Sequence, residues 1–220
     1  MIKLNDTFTI NGKTIKNRIC MPPMVCFNYS ESSGLANDKN VEHYRARAKG
    51  GAGLIIQEAT CVSPEGKLTE SQLGLWNDNQ IEGHRRIVNA VHEEGGVIVV
   101  QIHHAGVVGI AKNALCPSPY VWKKDGNIKT GIEMTIEDIA RIRESFISAA
   151  KRAYLAGYDG VELHGCHAYL LSQFLNCRVN TRRDEYGSDE MKLVTEIYNG
   201  IRMAVPADFI VGIRLGGFEP

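Results

Sequence analysis

Five short, nearly continuous apolar runs constrain this chain more than any other feature of its sequence: Arg18–Met24, Gly53–Ala59, Val97–His103, Gly160–His164 and Phe209–Leu215. None alternates strictly between apolar and polar residues, and glycines or polar clusters bound them. Such runs suit strands buried on both faces of a parallel sheet. Helical patterns lie between them. Asp38 is placed to cap a helix through Glu42, Tyr44 and Ala48 that stops at Gly50-Gly51. Asp78 opens a second, with Ile81, Ile87, Val88 and Val91 along one side and Gly95-Gly96 at its end. Thr135-Ile136-Glu137-Asp138 has the capping-box form, and Ile139, Ile142, Phe146, Ala149, Ala150 and Ala153 then recur at helical spacing up to Gly157. Leu193, Val194, Ile197 and Ile201 mark a last helix, closed by Pro206. Ahead of the first run, Phe8–Ile15 reads as a hairpin around an Asn11-Gly12 type I′ turn. Segment 105–134, with Pro117-Ser118-Pro119 and Asp125-Gly126, is expected to be a long irregular excursion, and loops of that length are usually functional.

Strands alternating with helices allow an open doubly wound sheet or a (β/α)8 barrel. No G-x-G-x-x-G follows any of the runs, which weakens the dinucleotide-fold version of the first. The barrel carries a corollary, that catalytic groups collect at the C-terminal ends of strands. Here the runs end in Pro22-Pro23-Met24, Gln57-Glu58-Ala59-Thr60, Gln101-Ile102-His103-His104, His164-Gly165-Cys166-His167-Ala168-Tyr169, and Arg214. Polar groups at five strand ends are costly unless they face a shared solvated or ligand-filled site. The expectation is therefore α/β of the TIM-barrel type. Only about five βα units are counted, whereas a full barrel has eight. The expected organisation is one incomplete barrel domain over residues 1–220, truncated after the fifth strand, with an N-terminal β-hairpin.

Composition narrows the function classes. Hydrophobic residues are 44% and charged residues 23% of the chain, which excludes a mainly disordered protein. The 25 Lys+Arg balance the 25 Asp+Glu, so the whole chain carries no electrostatic footprint for nucleic acid or an anionic membrane. Apolar stretches such as Val97–Val100 fall far short of the roughly 20 residues of a membrane span. Met1–Asp6 lacks the build of a secretory signal. The six cysteines include no C-x-x-C pair, which argues against a zinc ribbon, and a disulfide scaffold does not suit a chain this long. A cytoplasmic domain is expected, with neither nucleic acid nor membrane as partner.

His164, His167 and Tyr169 are the most informative cluster. Two imidazoles three residues apart at a strand end can offer two N–H donors to one oxygen, where charge developing in a transition state is worth several kcal/mol. Tyr169, with an ordinary pKa near 10, is a proton donor at neutral pH. Two other readings stand beside this one. The pair could supply two zinc ligands, with a third from His103, His104 or Glu58. Or the histidines could be satisfied polar groups in a packed core. Gln101 has both a donor and an acceptor for the edge of a planar ring, or a backbone partner inside the core. Arg214 can hold an anion, or pair with Glu162 or Glu58. Glu58 alone says little, and Cys166 suits a small buried filler.

Together these residues resemble the old yellow enzyme family of FMN-dependent NAD(P)H:flavin oxidoreductases and ene-reductases. The resemblance rests on Lys16–Ile19 leading to Met21-Pro22-Pro23-Met24, on Gly53–Ala59, on Gln101–Gly106, on Ala156–Leu175, on Asn180–Gly187 and on Val211–Arg214. It covers nearly the whole chain in order. Met21–Met24 and Leu170–Leu175 are similar to the enoate and dienoyl-CoA reductase branch, whose iron–sulfur cysteines would fall beyond residue 220. The resemblance implies a (β/α)8 barrel with a hairpin over its floor and FMN across its mouth. It places Pro23, Met24 and Ala59 along the flavin, with Gln101 and Arg214 at its pyrimidine edge. It gives His164 and His167 the substrate oxygen and Tyr169 the proton, and it implies no metal. NADH or NADPH would be the reductant and an activated alkene the substrate.

Departures from the family pattern are specific. Ala168 stands where the family has Gly, Phe27 where some members have a substrate-contacting Tyr, and Val25 where one branch has a flavin-tuning Cys. Ser188–Met191 replaces the family's usual Gly-Ser-x-Glu-Asn-Arg. Loops that grip the FMN phosphate in the family lie beyond the fifth strand. The first and fifth strands are then expected to be open edges, closed by homo-oligomer formation or by association with a C-terminal portion. The alternative expectation is a non-catalytic remnant that does not retain flavin. A zinc-dependent barrel hydrolase is a third, binding about one equivalent of metal.

Overall fold

The computed structural model describes residues 1–124 and 126–217. Asp125 of the Asp125-Gly126 turn and residues 218–220 lie outside the described residues. The chain opens with β1 (Phe8–Ile10) and β2 (Lys13–Ile15), an antiparallel hairpin. Asn11 and Gly12 at its tip have φ of 45° and 79°, the two left-handed residues a type I′ turn requires. Then come β3 (Cys20–Met21), α1 (Asp38–Lys49), β4 (Leu54–Cys61), α2 (Ile81–Glu93) and β5 (Val97–His103). After an excursion follow α3 (Ile136–Ala156), β9 (Gly160–Gly165), α4 (Leu170–Leu175), α5 (Glu185–Ser188), α6 (Lys192–Ala204) and β10 (Ile210–Leu215).

The large sheet is parallel throughout, in the order β10-β9-β5-β4-β3. Each strand lies beside its predecessor in the chain, with no reversal of order. A doubly wound sheet reverses at its switch point, so this sheet is the arc of a barrel. Alternation along the strands assigns the two faces. Ile98, Val100 and Ile102 of β5 and Val161 and Leu163 of β9 are buried in the main core with Ile87 and Val91 of α2 and Phe146 of α3. Gln101, His103, Glu162, His164 and Arg214 occupy the intervening positions and point to the inner face. The sheet-helix core is thus outside the arc and the polar groups are inside it.

The hairpin is tied to the N-terminal ends of the strands. The Lys13 ammonium lies 3.4 Å from Asp159, just before β9, and Lys16 donates to the Glu94 carbonyl, just before β5. This is the end of the arc away from the polar strand ends. The Thr135–Asp138 capping box forms, and Gly157 ends α3 in the left-handed conformation at φ 96°.

Three expectations need correction. Segment 105–134 is not irregular. It carries β6 (Leu115–Cys116), β7 (Tyr120–Lys124) and β8 (Asn127–Glu133), where β7 and β8 form an antiparallel pair and β6 joins β8 in parallel. The run Arg18–Met24 yields only the two-residue β3, because its Pro22 and Pro23 have no N–H for a ladder. Asn37 rather than Asp38 caps α1, and Asn77 rather than Asp78 caps a short 3-10 turn, Asp78–Gln80, that runs into α2. The motif Asn180–Gly187 is a structural clasp. Arg182 donates to the Pro117 and Met134 carbonyls and pairs with Asp184, which caps α5, so one side chain ties the middle of the excursion to its C-terminal end.

Candidate active site

The C-terminal ends of β3, β4, β5, β9 and β10 converge on one cavity of about 240 Å³. Pro23, Met24, Ala59, Gln101, His164, His167, Tyr169 and Arg214 all line it, together with Val25, Phe27 and Leu68. All eight residues singled out from the sequence are therefore brought together. Leu68 is an addition. It comes from the loop after β4, and a lone leucine beside Gly66-Lys67 carries no signal by which sequence could have found it.

Local backbone geometry aims these side chains. The β4–β5 register runs Gln57 to Val100 and then Thr60 to Ile102, so β4 holds one extra residue. The resulting bulge turns Ala59 to the cavity while Glu58 leaves the sheet. Glu58 does not line the site. Its carboxylate accepts from the Tyr44 hydroxyl at 3.1 Å and from the Cys26 backbone N–H at 2.8 Å. It therefore anchors the loop that presents Pro23 and Met24. Burial raises the Glu58 pKa above its ordinary value.

After β9 the chain reverses through two consecutive non-glycine residues with positive φ, His167 at 61° and Ala168 at 57°. Three rings close together as a result. The His164 ring centroid is 5.2 Å from that of His167 and 4.7 Å from that of Tyr169, both edge-on. The Ala168 carbonyl accepts from the Gln173 amide at 2.6 Å, and Leu170 N–H donates to the His104 carbonyl, which holds the turn. A left-handed alanine costs about 1–2 kcal/mol, which glycine would avoid at the expense of a looser unfolded chain. Ala168→Gly should raise stability by roughly 0.5–1 kcal/mol, a Tm increase of about 1–4 °C in a scanning melt. An unchanged or lower Tm would show that the turn is not strained by its alanine.

His164 is buried, and desolvation, then the charges of His167 and Arg214, hold its pKa down to about 3. It is neutral at physiological pH, with one N–H and one lone pair. Burial, then the charge of Cys166, raises the Tyr169 pKa above 10, so the phenol keeps its proton. Gln101 Nε2 and Arg214 Nε reach Glu162 Oε1 at 2.7 and 3.2 Å. The Arg214–Glu162 pair weighed above is thus made, by a side chain that also lines the cavity. The metal set of His164 and His167 with His103, His104 or Glu58 does not form. His103 Nε2 lies 2.7 Å from the Gln72 amide, and His104 Nδ1 accepts from Gly106 N–H.

Among solved structures, the chain superposes on the Old Yellow Enzyme from Pichia sp. AKU4542 with a TM-score of 0.89 at 31% identity, covering 96% of this chain and 59% of that one. Morphinone reductase gives 0.85 at 29%, covering 96% and 61%. A 2-naphthoyl-CoA reductase in complex with 2-naphthoyl-CoA gives 0.91 at 26%, covering 96% and 34%. The NADPH dehydrogenase of Clostridium acetobutylicum is 36% identical over 219 residues, 97% of this chain and 64% of that protein. The model of the NADH:flavin oxidoreductase / NADH oxidase family matches residues 3–220. The chain belongs to this family. It spans 64% of the length of the Clostridium relative.

The residues present fit the ring system of FMN, the cofactor of this family. Pro23, Met24 and Ala59 give the cavity apolar lining, and the Gln101 amide and the Arg214 guanidinium line it as well. Met24 is 69% and Phe27 59% exposed at the rim, apolar surface whose cover by a flat ring is favourable. Among the described residues no helix is long and apolar enough to cross a membrane.

Proposed function

We propose that this chain carries the flavin-ring and substrate sites of an FMN-dependent NAD(P)H oxidoreductase that reduces the C=C bond of α,β-unsaturated carbonyl compounds. The observation that carries the reading is the convergence of two neutral or exposed imidazoles and a protonated phenol on one cavity with apolar and amide lining. When bound, FMN would accept hydride from NAD(P)H and deliver hydride to the β-carbon of the alkene. Pro23, Met24 and Ala59 hold the ring face, and Gln101 and Arg214 its pyrimidine edge, where the guanidinium balances negative charge. His164 and His167 donate N–H bonds to the carbonyl oxygen, stabilising the charge that grows there as the β-carbon is attacked. Tyr169 gives its proton to the α-carbon and is restored from solvent.

β3 and β10 each carry one edge without a partner strand in the described sheet. A second copy or further strands would close the arc there. The deciding experiment is a visible absorption spectrum of the 220-residue chain, incubated with FMN and desalted. A retained flavin band supports the reading. A colourless protein favours the remnant that keeps the site residues without holding flavin. In the flavin-bearing form, His164→Ala should weaken a phenol-type ligand about 10-fold or more, the loss of one charge-assisted hydrogen bond. Unchanged ligand titration would count against the oxygen-holding pair.

A further inference from the structure

We propose that His164, Cys166 and His167 form a binding site for a thiophilic divalent cation such as Zn²⁺, and that the cation excludes substrate rather than assisting it. One ligand atom from each residue lies within 4.8 Å of the other two. His164 Nδ1 and Cys166 Sγ are already 3.6 Å apart. Zn–N bonds of about 2.0–2.1 Å and Zn–S bonds of about 2.3 Å place tetrahedral ligand atoms roughly 3.3–3.8 Å from one another. That pair is at the right separation, and the third ligand needs to move by about 1 Å. His167 can supply the movement, because its ring is exposed while His164 and Cys166 are buried.

The backbone makes the convergence. Left-handed φ at His167 and Ala168 folds the chain back immediately after Cys166, so ligands two and three residues beyond β9's His164 meet on one side. Two imidazoles with one thiolate suit zinc and copper better than magnesium or calcium, which take oxygen ligands. Coordination draws the His167 ring toward Cys166, and so takes one of the two N–H donors away from the substrate oxygen. The exclusion half rests on the function proposed above; the binding half does not.

The test uses Co²⁺ as a spectroscopic stand-in on the 220-residue chain without added flavin. One equivalent should give tetrahedral d–d bands with a thiolate-to-cobalt charge-transfer band, and Zn²⁺ should displace it. Cys166→Ala should lose the charge-transfer band and weaken Zn²⁺ on the order of 100-fold in chelator competition, at least the loss seen when metal sites lose supporting groups. Cys166→Ser serves as a second variant if the alanine form fails to fold by circular dichroism. Cys26→Ser is the control. That cysteine also has a histidine 3.4 Å from its sulfur, His43, and its loss should leave the band in place. A wild-type spectrum without the charge-transfer band, or a band that survives in both Cys166 variants, overturns the site. In the flavin-bearing form Zn²⁺ should displace a phenol-type ligand. Simultaneous binding of both overturns the exclusion, whereas a chain that never binds the phenol refutes the proposed function and leaves the cobalt result to decide the metal site.

Discussion

Tyr169→Phe should slow enone reduction by about 10²–10⁴-fold, the usual worth of a placed general acid, while NAD(P)H oxidation with a quinone or oxygen acceptor stays within about twofold. The substitution removes one oxygen and keeps the ring. Ring packing is what holds residue 169, against His164 at 4.7 Å and His103 at 5.3 Å between centroids. Phenylalanine preserves both edge-on contacts, so the site should stay assembled and the loss should isolate the proton. Burial, then the Cys166 charge, raises the phenol pKa, so the group is fully protonated at pH 7 and serves as donor. An acceptor that needs no proton at carbon does not call on it. Steady-state rates with the two acceptors side by side give the answer. Equal losses with both would mean that residue 169 supports flavin or nicotinamide binding, and the assigned role would fall.

The elements that place these groups were legible where glycine and apolar runs agree. Four of the five runs emerge as strands within two residues of their expected ends, and the Asn11-Gly12 turn and the Thr135 capping box form as their residue types demand. The helix starts at 37 and 77 were missed by one residue because each site is an Asn-Asp pair. Counting three residues on would have separated them. From Asn37 and Asn77 one reaches Asn40 and Gln80, whose side chains bond back to the cap N–H, whereas from Asp38 and Asp78 one reaches the apolar Val41 and Ile81. The small sheet of the excursion had no such signal. Val121, Ile128 and Ile132 stay exposed on it, so its strands lack the one-faced burial that produces a readable alternation.

Within the site, residue types at strand ends marked the cavity lining, since a barrel's chemistry collects there. What could not be read was partnership. Glu162 sits at mid-strand in β9 and becomes the shared acceptor of Gln101 and Arg214 only because β5 and β10 flank that strand. Likewise Glu58 gains Tyr44 and Cys26 as partners through the β4 bulge, a register irregularity with no glycine or proline to announce it.

Lowering the pH from 7 to 5 should weaken the fold far more than it weakens the site. His84 is wholly buried between the Tyr158 hydroxyl at 2.7 Å and the Gly74 carbonyl at 3.0 Å, and burial holds its pKa at about 4 against an ordinary 6.5. A histidine with a depressed folded pKa favours folding fully above 6.5, where both states are neutral. Its contribution is lost as pH falls toward 4, because the unfolded chain takes up the proton first. Between pH 7 and 5 this one residue removes about 2 kcal/mol. Burial likewise holds His104 at about 4 and His164 at about 3, and holds His103 well below 6.5, so all four act in one direction. The loss at His84 alone is a sizeable share of the 5–15 kcal/mol of a typical domain. The Asp159 carboxylate adds to the loss only below its ordinary 3.8, where protonation breaks its bonds to His92 and Ile98 N–H. Glu58, raised by burial, works the other way, since the folded chain takes up this proton before the unfolded one does. Urea midpoints at pH 7, 6 and 5 should fall steadily, and His84→Gln should flatten the slope by about 2 kcal/mol over the range. A wild-type midpoint that does not move, or an unaltered slope in His84→Gln, would place the buried histidines in their protonated form. Binding of a phenol-type ligand should meanwhile stay constant over the same range as far as His164 governs it, since a group at about 3 does not change state there.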